Sequence, residues 1–123
     1  MADQRKKLGA WGEDLAAQKL EGDGYEILHR NWRCARGEID LVARAGETLV
    51  FVEVKTRRGR NMGAPEAGLT TYKANKLLQL GELYVQQHKL NDLNWRIDLV
   101  AVELDPRGKL LRCEHIPNAV LGW

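Results

Sequence analysis

Cysteine is scarce in this chain. Cys34 and Cys113 are its only two, far apart and outside any Cys-x-x-Cys spacing, which argues against a disulfide framework or a zinc site and for reduced thiols in a reducing compartment. Histidine is equally thin: His29, His88 and His115 fall one per expected element and read as structural or surface residues rather than ligands. There is no signal-peptide pattern and no apolar run approaching membrane-spanning length, because Met1-Ala2-Asp3-Gln4-Arg5-Lys6-Lys7 leads straight into a polar helix. The expectation is a cytoplasmic protein without a membrane partner. An excess of one charge is also missing, since nineteen Lys and Arg against seventeen Asp and Glu leave a formal charge of +2, too little by itself to announce a nucleic-acid partner. No internal repeat, low-complexity tract or linker interrupts the 123 residues, so residues 1–123 are expected to form one domain, with 44% hydrophobic residues to build its core.

What is present is a regular alternation of patterns. Proline is absent from Lys6 to Glu21, where Leu8, Trp11, Leu15 and Leu20 recur at helical spacing, and Gly22-Asp23-Gly24 closes that helix. Gly9 and Gly12 inside it suggest either close approach by another backbone, a sheet or a ligand, or simply tolerated surface glycines. Three strands follow, Tyr25 to Arg33, Glu38 to Arg44 and Thr48 to Thr56, joined by turn-sized connectors that predict an antiparallel meander. Arg57 to Pro65 is a glycine-rich basic loop and the best candidate for a mobile segment. A second helix runs from Thr70 or Thr71 to about His88 with Ala74, Leu77, Leu78, Gly81, Tyr84 and Val85 on its apolar face. Asn94 to Glu103 is an apolar strand that can pair in parallel after the helix, and Lys109 to Ile116 is a last strand at an edge. The order α-β-β-β-α-β-β predicts an α/β fold with a mixed five-stranded sheet and helices packed on it.

The chemistry concentrates in two strands. Glu53-Val54-Lys55 closes the apolar run Leu49-Val50-Phe51-Val52, so Glu53 and Lys55 share one strand face while Val50, Val52 and Val54 take the other. Asp40 lies thirteen residues upstream in the run Ile39 to Ala43 and can converge on the same point. Burying charge is costly unless it is paired or bound to metal. Two hard carboxylates at the ends of neighbouring strands suit Mg²⁺ or Mn²⁺, and a lysine one pleat period beyond can orient an attacking water or hold a phosphate oxygen. The bland alternative is a set of ion pairs, Glu53 with Lys55 and Asp40 with an arginine, on a solvated sheet edge. From Lys55 to Gly81 there are six basic residues, Lys55, Arg57, Arg58, Arg60, Lys73 and Lys76, against the single acid Glu66, which predicts a basic flank beside the carboxylates. Glu38 shares Asp40's face by period two but starts its strand beside Arg36, which reads as a turn-side ion pair. Arg96 and Asp98 sit on one face of an apolar strand, where a salt bridge is the first account and support of the site the second. Trp32, Trp95 and Trp123 read as core or dimer packing before base stacking.

Asp40 with Glu53-Val54-Lys55, preceded by a helix carrying Glu13 in Gly9-Ala10-Trp11-Gly12-Glu13, resembles the PD-(D/E)xK nuclease superfamily. More narrowly, Gly37-Glu38-Ile39-Asp40-Leu41-Val42-Ala43, Phe51-Val52-Glu53-Val54-Lys55-Thr56-Arg57, Trp95-Arg96-Ile97-Asp98 and Ile116-Pro117-Asn118-Ala119 resemble the YraN-like family of uncharacterised bacterial proteins, considered similar to archaeal Holliday junction resolvases. The resemblance covers nearly the whole chain. It implies a restriction-endonuclease-like core in which Asp40 and Glu53 are metal ligands together with the carbonyl of Val54. Lys55 would position the attacking water, and Glu13 would be a further ligand or act through water. Ile39 stands where the signature has proline, and Gln79 is followed four residues later by Leu83, so a RecB-type Gln-x-x-x-Tyr motif is absent.

The expectation is a Mg²⁺- or Mn²⁺-dependent DNA endonuclease, on branched structures and as a homodimer, with catalytic Glu13, Asp40, Glu53 and Lys55 and with Arg57, Arg58, Arg60, Lys73 and Lys76 binding nucleic acid. The rival is a non-catalytic nucleic-acid-binding or adaptor module on the same fold, and a weaker third reading is a purely structural interaction protein.

Overall fold

The computed structural model describes residues 2–61 and 63–120; Met62, within the basic loop, and Trp123, with its expected packing role, lie outside the described residues. Helix α1 (Ala2–Gly22) precedes strands β1 (Glu26–Cys34), β2 (Gly37–Ala45) and β3 (Thr48–Arg58), a 3₁₀ turn (Pro65–Gly68), helix α2 (Thr71–Gln87), and strands β4 (Asn94–Leu104) and β5 (Leu110–Ile116). The sheet order is β1-β2-β3-β4-β5. The first three strands form the antiparallel meander that their short connectors require, β4 joins β3 in parallel after α2, and β5 closes the sheet antiparallel at its edge. The mixed α/β fold with its five-stranded sheet is as the sequence predicts. No helix among the described residues is long and apolar enough to cross a membrane.

Each helix covers one face. Ala16, Ala17 and Leu20 of α1 pack on Leu41, Ala43, Val50, Val52, Val100 and Val102, whereas Leu77, Leu80, Tyr84 and Val85 of α2 pack on Ile39, Val42, Leu49, Phe51 and Ile97. Burial on both faces is why β3 and β4 read as nearly unbroken apolar runs. The α1 contact differs from the expected stripe: Trp11 is 39% exposed, and the small residues Gly12, Ala16 and Ala17 meet the sheet instead. A Cβ on Gly12 would lie 2.0 Å from Thr56 Oγ1, so this glycine lets the helix approach β3, whereas Gly9 has open space around it. On α2, Thr70 caps the helix by accepting from the Lys73 amide at 3.2 Å, and Leu80 joins the core beside the predicted positions.

Strand β3 runs to Arg58, so Arg57 and Arg58 belong to the strand rather than to the basic loop. Described residues of the segment beyond are tied to the rest of the fold. The Gly59 amide donates to the Leu104 carbonyl, Arg60 pairs with Glu103 at 2.5 Å, Pro65 is buried, and Glu66 is held by Arg112 at 2.7 Å. Arg96 and Asp98 do form the expected salt bridge, at 3.0 Å. Asp98 is fully buried and also takes His115 Nε2 at 2.6 Å and the Asn118 amide at 3.0 Å, while Arg96 donates to the Tyr25 hydroxyl. That cluster ties β4 to β5 and to β1's entry.

Candidate functional site

A fault in the sheet makes the site. The ladder between β2 and β3 stops at Leu41↔Val52, yet β2 continues pairing with β1 as far as Cys34↔Gly37, and β3 continues with β4 as far as Arg58↔Leu104. The two inner strands therefore part, and their unpaired ends carry Glu38 and Asp40 on one side and Glu53, Lys55 and Arg57 on the other. Ile39 packs on the α2 face and Leu41 on the α1 face, although residues two apart in a regular strand share a face. The strand thus changes face across Asp40, whose Oδ2 accepts a hydrogen bond from the Val54 amide at 2.8 Å. A carboxylate replaces the missing backbone partner of β3.

Carboxyls approach Asp40 from both sheet faces. Glu53, on the α2 face of β3, is 4% exposed and lies against Asp40. From the α1 side, Glu13 and Glu38 bring carboxylate oxygens that lie, with one of Asp40, within 4.8 Å of one another. Burial, followed by the hydrogen bond to and charge of Glu53, pushes the Asp40 carboxyl up to about 8. Burial and then the Asp40 charge raise Glu13, against a hydrogen bond from Asn31 that lowers it. Asn31 adopts the left-handed backbone at φ 54° within β1, a conformation asparagine tolerates. Its influence on Glu13 has only a faint sequence signal, an asparagine inside a strand.

The counter-charge comes from an unexpected direction. Glu53 is paired not with Lys55 but with Lys73 of α2, Nζ to Oε2 at 3.4 Å. That separation is within ion-pair range yet outside hydrogen-bond geometry, and Glu53 Oε2 is a buried oxygen with no hydrogen-bond partner. Among the described residues Lys55 has no ion pair; its side chain lies along Gly68, where a Cβ would come within 3.3 Å of it. Glu38 pairs with Arg33 at 2.8 Å rather than with Arg36.

A cleft of about 660 Å³ opens over this fault, lined by Glu13, Asp40 and Glu53 with Lys55, Arg57, Arg58 and Lys73, and floored in part by Gly9. The structure thus brings the four expected catalytic positions, Glu13, Asp40, Glu53 and Lys55, to one place with the backbone of Val54, and adds Glu38. Of the five expected nucleic-acid contacts, Arg57, Arg58 and Lys73 line the cleft. Arg60 instead faces a second hollow of about 520 Å³ with Glu103 and Arg112, and Lys76 packs beside Gly37. Acidic oxygens at the base and cations at the rim suit a divalent ion and a phosphate held side by side.

A family model described as "Uncharacterised protein family UPF0102" matches residues 12–102, which include every carboxylate of the site and both of its lysines. The chain is 47% identical to a UPF0102 protein of Roseiflexus castenholzii over 121 residues, covering 98% of each chain. It is 43% identical to one of Syntrophotalea carbinolica over the full length of both. A third, from Dictyoglomus turgidum, is 39% identical over 93% of this chain and 97% of its own. The protein belongs to the UPF0102 family.

Proposed function

We propose that this chain is a metal-dependent nuclease of the PD-(D/E)xK type, with a restriction-endonuclease-like core, that hydrolyses DNA phosphodiester bonds at branched structures. The observation that carries the reading is the buried Oε2 of Glu53, which has no hydrogen-bond partner, beside Asp40 in a cleft lined also by cations. A buried carboxylate oxygen without a hydrogen bond and an aspartic acid pushed up to about 8 by burial and then by Glu53 are what the carboxylates of a hard-dication site look like without the ion's charge. Asp40, Glu53 and the Val54 carbonyl would hold Mg²⁺ or Mn²⁺, with Glu13 and Glu38 close enough to contribute directly or through water. Such an ion supplies Lewis-acid polarisation of the phosphodiester and a source of hydroxide near neutral pH.

The remaining steps belong to the chain's own side chains. Lys55, on the same strand face as Glu53 and without a competing ion pair among the described residues, orients the attacking water and offsets charge on the phosphate. Arg57, Arg58 and Lys73 fix the backbone phosphates on either side. Attack at phosphorus with departure of the 3′ oxygen leaves a 5′-phosphate and a 3′-hydroxyl.

Labelled four-way junction, flap, single-stranded and duplex DNAs incubated with Mg²⁺ or Mn²⁺ test this directly. Wild type is expected to cut at least one of them, and Asp40→Ala and Lys55→Ala, folded by circular dichroism, to lose at least about a hundredfold in rate, the usual scale for removing a charge-stabilising group. Wild type that binds one structure and cuts none would favour the non-catalytic binding module.

A further inference from the structure

Lys73 occupies a position that helix electrostatics disfavours. It is the third residue of α2, in a first turn that holds no acid, where the helix dipole opposes a cation. Its backbone is fixed by the Thr70 cap, and its side chain, 39% exposed, reaches down to Glu53. The contact it makes is loose: at 3.4 Å and without hydrogen-bond geometry, it falls short of the 2.7–2.9 Å typical of charge-assisted bonds. Among the described residues, Lys73 is the cation paired with Glu53 and acting on Asp40 from the α2 side, with Glu13 and Glu38 behind Asp40. Glu38 is paired with Arg33, and the one contact Lys73 makes leaves Glu53 Oε2 without a hydrogen bond, so that oxygen remains open to a divalent ion.

We propose that Lys73 is a placeholder cation, which neutralises Glu53 while the site is empty of metal, competes with a divalent ion for it, and is released to meet phosphate within the cleft when it is displaced. The inference rests on the metal-dependent reading above and specifies how the site is regulated. Lys73 lines the cleft with Lys55, Arg57 and Arg58, so displacement from Glu53 leaves its ammonium free for phosphate beside theirs. Phosphate binding and metal binding then reinforce each other, because each favours the arrangement in which Lys73 has left Glu53. Metal alone is held weakly, and metal with a polyanion is held well. The full phosphate grip therefore assembles only when the site is loaded.

Mn²⁺ titration of the full chain without nucleic acid, followed by calorimetry at low ionic strength, tests the placeholder apart from any cleavage. Lys73→Met removes the competing charge and is expected to bind Mn²⁺ roughly tenfold more tightly than wild type, a modest share of what two unit charges at this separation can exert. Lys73→Arg, which keeps the charge, should remain near wild type. Lys55→Met, which removes a charge that is not paired with Glu53, should gain less than Lys73→Met. Should Lys73→Met fail to fold without metal, Lys73→Gln carries the same expectation, since it keeps a donor to Glu53 without the charge. Equal or weaker Mn²⁺ binding by the neutral Lys73 variants, or an equal gain in Lys55→Met, overturns the placeholder and leaves the nuclease reading standing. Absence of Mn²⁺ binding in wild type and variants alike overturns both.

Discussion

Gly12 shows how a single missing atom group sets the position of a catalytic candidate. Its hydrogen side chain allows α1 to rest on Thr56, and Glu13, the next residue, is thereby delivered to the α1 side of Asp40. Gly12→Ala is expected to cost about 1–3 kcal/mol, the usual penalty for overpacking a tight contact, and to move Glu13 outward. Gly9→Ala, with nothing within 4 Å of the added carbon, should be neutral or slightly stabilising in the helix. Thermal melts of the two variants distinguish these outcomes: similar small gains at both positions would mean that helix propensity, not contact with Thr56, governs the site. The same logic explains why Trp11, although apolar and at helical spacing, lies outward, since a bulky side chain cannot occupy the face where the helix touches the sheet.

Among the elements, the segment after β3 holds the unexpected device. Arg112 of β5 is bonded to Glu66 by both terminal nitrogens, to Glu103 through Nε at 2.6 Å and to Glu114 at 2.8 Å. Glu103, 6% exposed, is shared with Arg60. This clamp draws the chain between β3 and α2 down onto β4 and β5, and the 3₁₀ turn it fixes brings Gly68 against Lys55 and Arg57. Arg112→Ala leaves the buried Glu103 with one partner fewer and is expected to cost about 1–3 kcal/mol. Faster amide exchange from Gly59 to Gly68 is the accompanying sign; exchange unchanged in that segment would show that the turn is held by the burial of Pro65 instead.

For the molecule as a whole, the site imposes a dependence of stability on pH. In the metal-free protein Asp40 keeps its proton up to about 8 when folded, against an ordinary value of 3.8, so between those values unfolding releases a proton and stability falls as pH rises. Below about 4 that penalty is absent, because both states are protonated. Glu66 acts with the opposite sign: the Arg112 hydrogen bonds hold its carboxyl down at about 2, and the stability it contributes is present above 4.5 and lost as pH falls through 2. A maximum near pH 4–5 is expected for the metal-free chain, with a decline toward pH 8 that Asp40→Asn abolishes and that saturating Mg²⁺ reduces. Chemical denaturation across pH 3–9 measures it, and a slope between pH 5 and 8 that survives Asp40→Asn would assign the effect to another group.

Apolar periodicity and turn chemistry, being local, determined the element order, the antiparallel meander, the parallel return of β4 and the edge position of β5. They also determined that Asp40, Glu53 and Lys55 lie at the ends of adjacent strands, since register follows from connector length and faces follow from period two. Local pattern could not determine that β2 parts from β3 and changes face at Asp40, because a strand fault depends on what each strand pairs with on its other side. Nor could it choose the partner of Glu53. Adjacency suggested Lys55, but a strand neighbour two residues on is offset along the strand, whereas α2, docked over that face, brings Lys73 across from above. The same holds for Arg60, a basic residue in a basic run, whose charge is taken by Glu103 from a strand that the sequence places far away. Long-range packing alone decided which cations are occupied and which face the cleft.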